Sequence, residues 1–338
     1  MTTPSPRPLR LRHAAPLIDV SVVIPIHDER DNLEPLLEAL DAHVPAAGRH
    51  HEYVLVDDGS TDGSGELLDR LAARRHDLAV VHLRRCFGQT AALDAGIRAS
   101  GGDVLVFMDA DLQNDPADVP AMLARLEQGY DVVHGWRRER HDVFWSRRLP
   151  SIVANGLIRR LTGVRVRDLG CAIRVMRRDL AEELPLEGDM HRFIAVLADA
   201  RGARWTEMPV RHRPRTRGAS KYGLSRTFKV IVDLVMLCWV TRLAVPLTRL
   251  LVGGGLALVT LAATLPAAAL VLAVAGRTIL WPAWAAATVA AAVGGATMAG
   301  VGIAAATSAS TWWHARGLRP WSAREAPAPA DERGRRAA

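Results

Sequence analysis

Apolar and polar positions alternate along the first 215 residues in a repeating way. Short runs rich in Val, Ile and Leu give way to segments with apolar residues every three or four positions. The runs at 20–25, 53–56, 79–83, 104–108 and 131–135 read as buried strands. The segments at 31–42, 64–74, 89–99 and 116–128 read as amphipathic helices between them. Strand and helix in alternation predict an α/β fold with a mostly parallel sheet. Serine and proline around 146–161 mark a further helix. Residues 209–223 form a basic loop, and 224–242 read as an amphipathic helix.

Beyond Arg249 the pattern changes. No charged residue occurs from Leu250 to Ala275, nor from Ile279 to Trp313. Each stretch exceeds the roughly 20 apolar residues that cross a bilayer, so a two-helix transmembrane hairpin is predicted. Arg242 and Arg249 precede the first span, Arg316, Arg319 and Arg324 follow the second, and only Arg277 sits between them. By the placement of positive charge, both ends and the large N-terminal domain face the cytoplasm. The expected location is the inner or plasma membrane, multi-pass. The expected organisation is a disordered basic arm over 1–18, a catalytic domain over 19–217 and a juxtamembrane amphipathic region over 218–245. Transmembrane helices follow over 246–313, then a disordered cytoplasmic tail over 314–338.

The chain has 338 residues, a formal net charge of +7 and a pI near 10.1. Its basic residues gather beside the apolar spans rather than among stacking aromatics, which argues against nucleic acid as a partner. Cys86, Cys171 and Cys238 lack disulfide or metal spacing, as in a reducing compartment. The first 16 residues lack an apolar core, so they do not read as a signal peptide.

Chemistry concentrates where strands end. Acids follow three expected strands: Asp28 and Glu29, Asp57 and Asp58, and Asp109 and Asp111. Three such ends at successive strand–helix junctions suggest one ligand crevice. If extended geometry continues past residue 108, alternation places Asp109, Asp111 and Gln113 on one face. Three oxygen donors of that kind suit Mg²⁺ or Mn²⁺; a solvated turn is the other reading. Ser60 and Asp62 suit helix capping, with Asp57 left for a ligand. No G-x-G-x-x-G follows the first strand, and no Walker-type lysine loop is present.

Four motifs occur in order: Pro25-Ile-His-Asp-Glu29, Val56-Asp-Asp-Gly-Ser-Thr-Asp62, Phe87-Gly-Gln-Thr-Ala-Ala-Leu-Asp-Ala-Gly96 and Met108-Asp-Ala-Asp-Leu-Gln-Asn-Asp-Pro116. Together they resemble the family 2 glycosyltransferases. Arg215-Thr-Arg-Gly-Ala-Ser-Lys-Tyr-Gly223 resembles the corresponding loop of the polyprenyl-phosphate hexosyltransferases. The resemblance covers about residues 19–242 and implies a GT-A nucleotide-binding domain. It implies an enzyme that transfers a hexose, with inversion, from UDP-glucose or GDP-mannose to a polyprenyl phosphate at the cytoplasmic face.

On this basis Glu29 would hold the ribose and Asp57 the base, with the backbone of Pro25 and Ile26 alongside. Asp109, Asp111 and Gln113 would hold Mg²⁺ or Mn²⁺ on the donor diphosphate. Arg137, Arg147 and Ser151, with Arg215, Arg217, Ser220 and Lys221, would meet the acceptor phosphate. Asp109, Asp111, Arg137 and Arg147 are the implied catalytic set. His191 and Arg192 stand either at the sugar or in a cap or core role, and Gly88-Gln89 either near the diphosphate or in a turn. His27-Asp28 departs from the family pattern, in which an Asn often precedes the Glu. Expected partners are a nucleotide-sugar, a polyprenyl phosphate and the lipid bilayer; homo-oligomer formation stays open. A processive polysaccharide synthase would need more spans and a Gln-X-X-Arg-Trp motif, and a noncatalytic membrane-anchored protein would not need intact acids.

Overall fold

The computed structural model describes residues 19–138, 162–213, 243–277 and 280–314, with 156, 159, 160, 233–235 and 237–239 between them. Contacts divide the chain into a unit spanning 1–233 plus 320–338 and a second spanning 234–319.

The first unit is built on seven strands: β1 (Val20–Ile26), β2 (His51–Asp57), β3 (Leu78–His82), β4 (Val104–Phe107), β5 (Val132–Arg137), β6 (Arg174–Arg177) and β7 (Trp205–Val210). They form one sheet in the order β3-β2-β1-β4-β6-β5-β7. The strands β3, β2, β1 and β4 are mutually parallel, while β6 runs antiparallel to both β4 and β5. The expected mostly parallel α/β sheet is therefore present. Its central strands are apolar on both faces because helices cover both, and Val22, Val23 and Ile24 of β1 are fully buried.

The helices are α1 (Arg30–His43), α2 (Ser64–Ala72), α3 (Gln89–Ala99), α4 (Val119–Glu127), α5 (Arg178–Glu182) and α6 (Ile194–Ala200). Helix α1 presents Leu33, Leu36, Leu37 and Leu40 to the sheet, where they join Ile24, Tyr53, Leu55 and Met108 in the core. Helix α3 lies so close that a Cβ at Gly96 would meet Val23 Cγ1 at 2.3 Å and Val56 Cγ2 at 3.1 Å.

Strands β6 and β7 and helices α5 and α6 were not legible in the sequence. Strand β6 has only four residues, two of them arginines, so no period can be read from it. Helix α6 has seven residues. Strand β7 alternates weakly and carries Pro209, where the sequence suggested that a basic loop begins. The structure keeps Pro209 and Val210 in the strand. Because β7 is the last strand of the sheet, a residue without an N–H is tolerated there. The helix expected over 146–161 and the amphipathic helix over 224–242 lie largely outside the described residues.

The chain runs β1, β2, β3 toward one edge of the sheet and then returns to place β4 on the other side of β1. The reversal between β1 and β4 creates a crevice at their carboxyl ends, the position where open α/β sheets take ligands.

The second unit consists of α7 (Ala244–Val274) and α8 (Trp281–His314), two helices long and apolar enough to cross a membrane. Large apolar side chains such as Leu250, Leu256, Leu270, Val289 and Ile303 point outward. The helices meet through small residues: a Cβ on Gly255 would lie 2.6 Å from the Gly295 carbonyl oxygen and 2.7 Å from the Ala299 nitrogen. Small residues at these positions let the two backbones approach closely. Hydroxyls of Thr260, Thr288 and Thr297 donate to carbonyls of their own helix.

Replacement Gly96→Ala tests the packing of α3. Overpacking of this kind costs about 1–3 kcal/mol, against about 1 kcal/mol gained in helix propensity. The variant should melt at lower temperature than the parent, and an equal or higher melting temperature would contradict the packing described.

Candidate active site at the sheet switch point

The first turn of a helix carries N–H groups with no partner inside the helix, and at this crevice neighbouring turns supply the acceptors. Asp28 N–H donates to Ser60 Oγ at 3.1 Å, Glu29 N–H to Ser64 Oγ at 3.2 Å, and Arg30 N–H to Asp62 Oδ2 at 3.0 Å. In return Thr61 N–H donates to Asp28 Oδ1 at 2.8 Å. Asp28 holds φ +54°, a left-handed conformation that this exchange supports. The turns after β1 and β2 are thus stitched into one edge. Asp62 also accepts from Ser64 N–H at 3.0 Å, although the residue at the N-cap of α2 is Gly63.

Asp57 and Asp58 have different tasks. Asp58, 2% exposed, accepts from Phe87 N–H at 2.7 Å, Gly88 N–H at 2.8 Å and the Cys86 thiol at 3.4 Å. It holds the loop that enters α3, a role the sequence alone did not suggest. Side-chain ligand atoms of Asp58, His27 and Cys86 lie within 4.8 Å of one another. With the thiol, that set is softer than Mg²⁺ prefers, and the Asp58 oxygens are already taken by backbone N–H groups. Gly59, at φ +63°, lets the turn pass this loop: a Cβ there would meet the Arg85 carbonyl carbon at 2.4 Å.

Asp57 accepts from Ser60 N–H at 2.9 Å and pairs with His82 Nδ1 at 2.9 Å, while His82 Nε2 meets Asp69 at 2.9 Å. Burial by itself would raise the Asp57 carboxyl, but hydrogen bonds from Ser60 and His82 outweigh it and hold the group below its usual range. The hydrogen bond to Asp57 lifts His82 above its ordinary value; burial opposes it and Asp69 adds to it. Glu29 Oε2 accepts from Asn32 Nδ2 at 2.5 Å. Pro25 is half-buried and lies beyond the last β1–β4 pair, Val23 with Phe107. Ile26 is fully buried, and its carbonyl takes the Asp58 N–H at 2.8 Å.

Past β4 the extended geometry does not continue. The strand ends at Phe107 and Leu112 adopts φ +60°, so the alternation expected for Asp109, Asp111 and Gln113 is replaced by a turn. The turn keeps the three oxygen-bearing residues within one short loop. Asp109 Oδ1 accepts from Gln89 Nε2 at 2.7 Å, and Asp111 Oδ1 from Gln113 N–H at 3.2 Å. Gly88 directs its N–H to Asp58, so the opening of α3 reaches the acidic loop through the Gln89 side chain instead.

Next to Asp109 lies a cavity of about 100 Å³ lined by Gln89, Leu93, Phe107, Met108, Leu169, Gly170, Ala172, Arg174, His191 and Arg192. His191, reached from a short helical turn over Met190–Phe193, shares a 2.7 Å hydrogen bond with Thr90 Oγ1. Arg137 stands at the end of β5 and is gripped by Asp168: Nε donates to Oδ2 at 2.7 Å and Nη2 to Oδ1 at 2.9 Å. Its planar fork is matched to a 5% exposed carboxylate. Asp168 was missed in the sequence; its signal was a lone acid between Arg167 and Gly170. Arg147, Ser151, Arg215, Arg217, Ser220 and Lys221 lie outside the described residues.

Residues 21–185 match the family model described as Glycosyl transferase family 2. Dodecaprenyl-phosphate galacturonate synthase of Rhizobium johnstonii is 42% identical over 67% of this chain and 68% of its own length. The chain belongs to glycosyltransferase family 2. A second relative, undecaprenyl-phosphate 4-deoxy-4-formamido-L-arabinose transferase of Pseudomonas aeruginosa, is 44% identical over 72% of this chain and 71% of its own. Among solved structures, glucosyl-3-phosphoglycerate synthase of Mycobacterium tuberculosis, in complex with Mn²⁺, UDP and phosphoglyceric acid, superposes with TM-score 0.51 at 23% identity. The match covers 65% of this chain and 78% of that one. That likeness is of fold, and the fold is the GT-A arrangement expected of the family. Neither relative's name carries the glucose or mannose that the sequence resemblance implied.

The Asp57–His82 pair predicts a titration. A histidine with raised pKa stabilises the fold fully below about 6.5, its unfolded value, and that contribution is lost as pH rises through the folded value. Asp57 acts in the opposite window: its contribution is present above the usual carboxylate range and is lost as pH falls through its lowered folded value. The NMR midpoint of His82 should lie above 6.5 and fall in Asp57→Asn. A midpoint unchanged by that substitution would refute the pairing.

Proposed function

We propose that this family 2 glycosyltransferase transfers a sugar from a nucleotide-sugar to a polyprenyl phosphate at the cytoplasmic membrane face, with inversion at the anomeric carbon. The observation that carries the reading is the acidic loop at the switch point, with Asp109 beside a cavity, in a chain over 40% identical to two enzymes named for polyprenyl-phosphate substrates. Their names include an acidic sugar and a formamido sugar, so the donor is sought among modified sugars.

In this reading Glu29 holds the ribose and Asp57 the base, and the stitched turns keep both at the strand ends. Asp57 stays ionised as an acceptor because Ser60 and His82 bond to it. Asp109, Asp111 and Gln113 would hold the divalent cation; two carboxylates and a carboxamide are the hard donors Mg²⁺ and Mn²⁺ take. When bound, that cation neutralises charge on the leaving diphosphate.

The acceptor phosphate monoester carries roughly −1.5 to −2 charges near neutrality and is already a nucleophile. The protein's task is then orientation rather than deprotonation. Arg137, Arg147, Ser151, Arg215, Arg217, Ser220 and Lys221 are the proposed acceptor contacts. Asp168 occupies the Nε–Nη2 edge of Arg137 and so fixes the direction in which the guanidinium lies. Helices α7 and α8 insert in the bilayer, with the sugar-transferring domain over 19–217 on the cytoplasmic side.

Two experiments test this. Purified membranes incubated with radiolabelled nucleotide-sugars and undecaprenyl phosphate should pass label into the organic phase, and EDTA should stop it. Asp111→Ala should lower that transfer roughly a hundredfold or more while the protein stays folded in the membrane; wild-type turnover in the variant would remove the metal role. For orientation, Arg277→Cys should react with an impermeant maleimide on intact cells. Labelling only after permeabilisation would reverse the topology.

A further inference from the structure

Once strand pairing ends at Phe107, the turn that carries Asp109, Asp111 and Gln113 needs another anchor. Leu112 stands at φ +60°, a conformation that a bulky residue keeps only where its surroundings impose it. The three residues after it are held by the segment that leaves β7. Gln113 N–H donates to Asp111 Oδ1 at 3.2 Å, and the Gln113 carbonyl accepts from Arg213 N–H at 2.9 Å. A single antiparallel bridge joins Asn114 to His212. Asp115, 3% exposed, accepts from Arg213 Nη2 at 2.6 Å on one carboxylate oxygen and from Ala117 N–H at 3.1 Å on the other. Arg211 Nη1 lies farther from it, at 3.9 Å. A carboxylate this buried needs such a partner to stay charged.

We infer that Arg213 is a positioning residue for the divalent cation: by gripping Asp115 and the Gln113 carbonyl, it keeps Asp111 and Gln113 in the conformation that binds metal. The inference rests on the reading that Asp109, Asp111 and Gln113 take the cation. Arg213 has two effects of opposite sign, which makes its role decidable. Its positive charge repels a cation on the same loop, so by charge alone its removal should tighten metal binding. Its contacts preorganise the ligands, so by geometry its removal should weaken metal binding. Geometry prevails. The Asp115 pairing is a direct contact of 2.6 Å, whereas the repulsion comes from a side chain 57% exposed and screened by solvent and salt. Without the fork, the Asp115 carboxylate loses its nearest cation. The loop then shifts to hydrate that carboxylate and draws Gln113 with it.

The test is a Mn²⁺ titration in the presence of UDP, followed by electron paramagnetic resonance, on the full-length detergent-solubilised protein. Wild type is compared with Asp111→Ala, Arg213→Met, Arg213→Lys and the double variant Arg213→Met/Asp115→Asn. Arg213→Met should weaken Mn²⁺ binding roughly tenfold, the lower end of what a charge-assisted hydrogen bond supplies. Arg213→Lys, which leaves a cation for Asp115, should bind more tightly than Arg213→Met. The double variant, which no longer buries an unpaired carboxylate, should recover part of the loss. Mn²⁺ binding that is unchanged or tighter in Arg213→Met overturns the inference, even if the variant melts at lower temperature. So does a weakening that the double variant fails to relieve. If wild type binds no Mn²⁺, or binds it as well after Asp111→Ala, the cation reading itself falls and the role of Arg213 falls with it.

Discussion

The site depends on one requirement: backbone N–H groups exposed where strands turn into helices must find acceptors. In this protein the acceptors are side chains of the adjoining turn. Ser60, Asp62 and Ser64 receive the N–H groups that open α1, and Asp58 receives those that precede α3. Buried N–H groups without such partners would each cost about 1–3 kcal/mol. The acids that look like a ligand cluster are therefore partly structural. Asp58 and Asp62 hold the edge together, so that Glu29, Asp57 and Asp109 stand in defined places along it.

The same economy extends to the far side of the acidic loop. Gln113 O accepts from Arg213 N–H at 2.9 Å, Asp115 Oδ2 accepts from Arg213 Nη2 at 2.6 Å, and Asp118 Oδ2 accepts from Arg211 N–H at 2.7 Å. Asp115 is 3% exposed and also accepts from Ala117 N–H, so it serves two segments at once. The loop proposed to hold the cation is thereby tied to the chain leaving β7, which leads toward the basic motif at 215–223. The acidic loop and the residues that follow β7 share one polar network within the first unit. Buried networks of this kind hold their members to a single geometry when every polar group is satisfied.

Much of this was legible in the chain. Strands β1, β2 and β4 announce themselves because strands covered on both faces read as nearly continuous apolar runs, here at 22–26, 53–56 and 104–107, with acids following within two residues. The two uncharged stretches of the C-terminal part are equally plain. Less visible were β6, whose four residues include the buried Arg174, and Asp168, whose meaning depends on Arg137 about thirty residues earlier. Neither has a periodic signature, because both are defined by partners distant in sequence.

Local pattern, then, determined which segments are strands and helices, where the carboxylates fall, and which part of the chain is apolar enough for lipid. Such properties follow from side-chain period and polarity, which a linear text records. Only the tertiary structure decided which backbone N–H groups each acid accepts, that the chain beyond Phe107 turns instead of extending, and that Arg174 is spent on carbonyls. Those distinctions depend on which hydrogen-bond partners are within three ångströms or so, and that is a property of the folded sheet, not of neighbours along the chain.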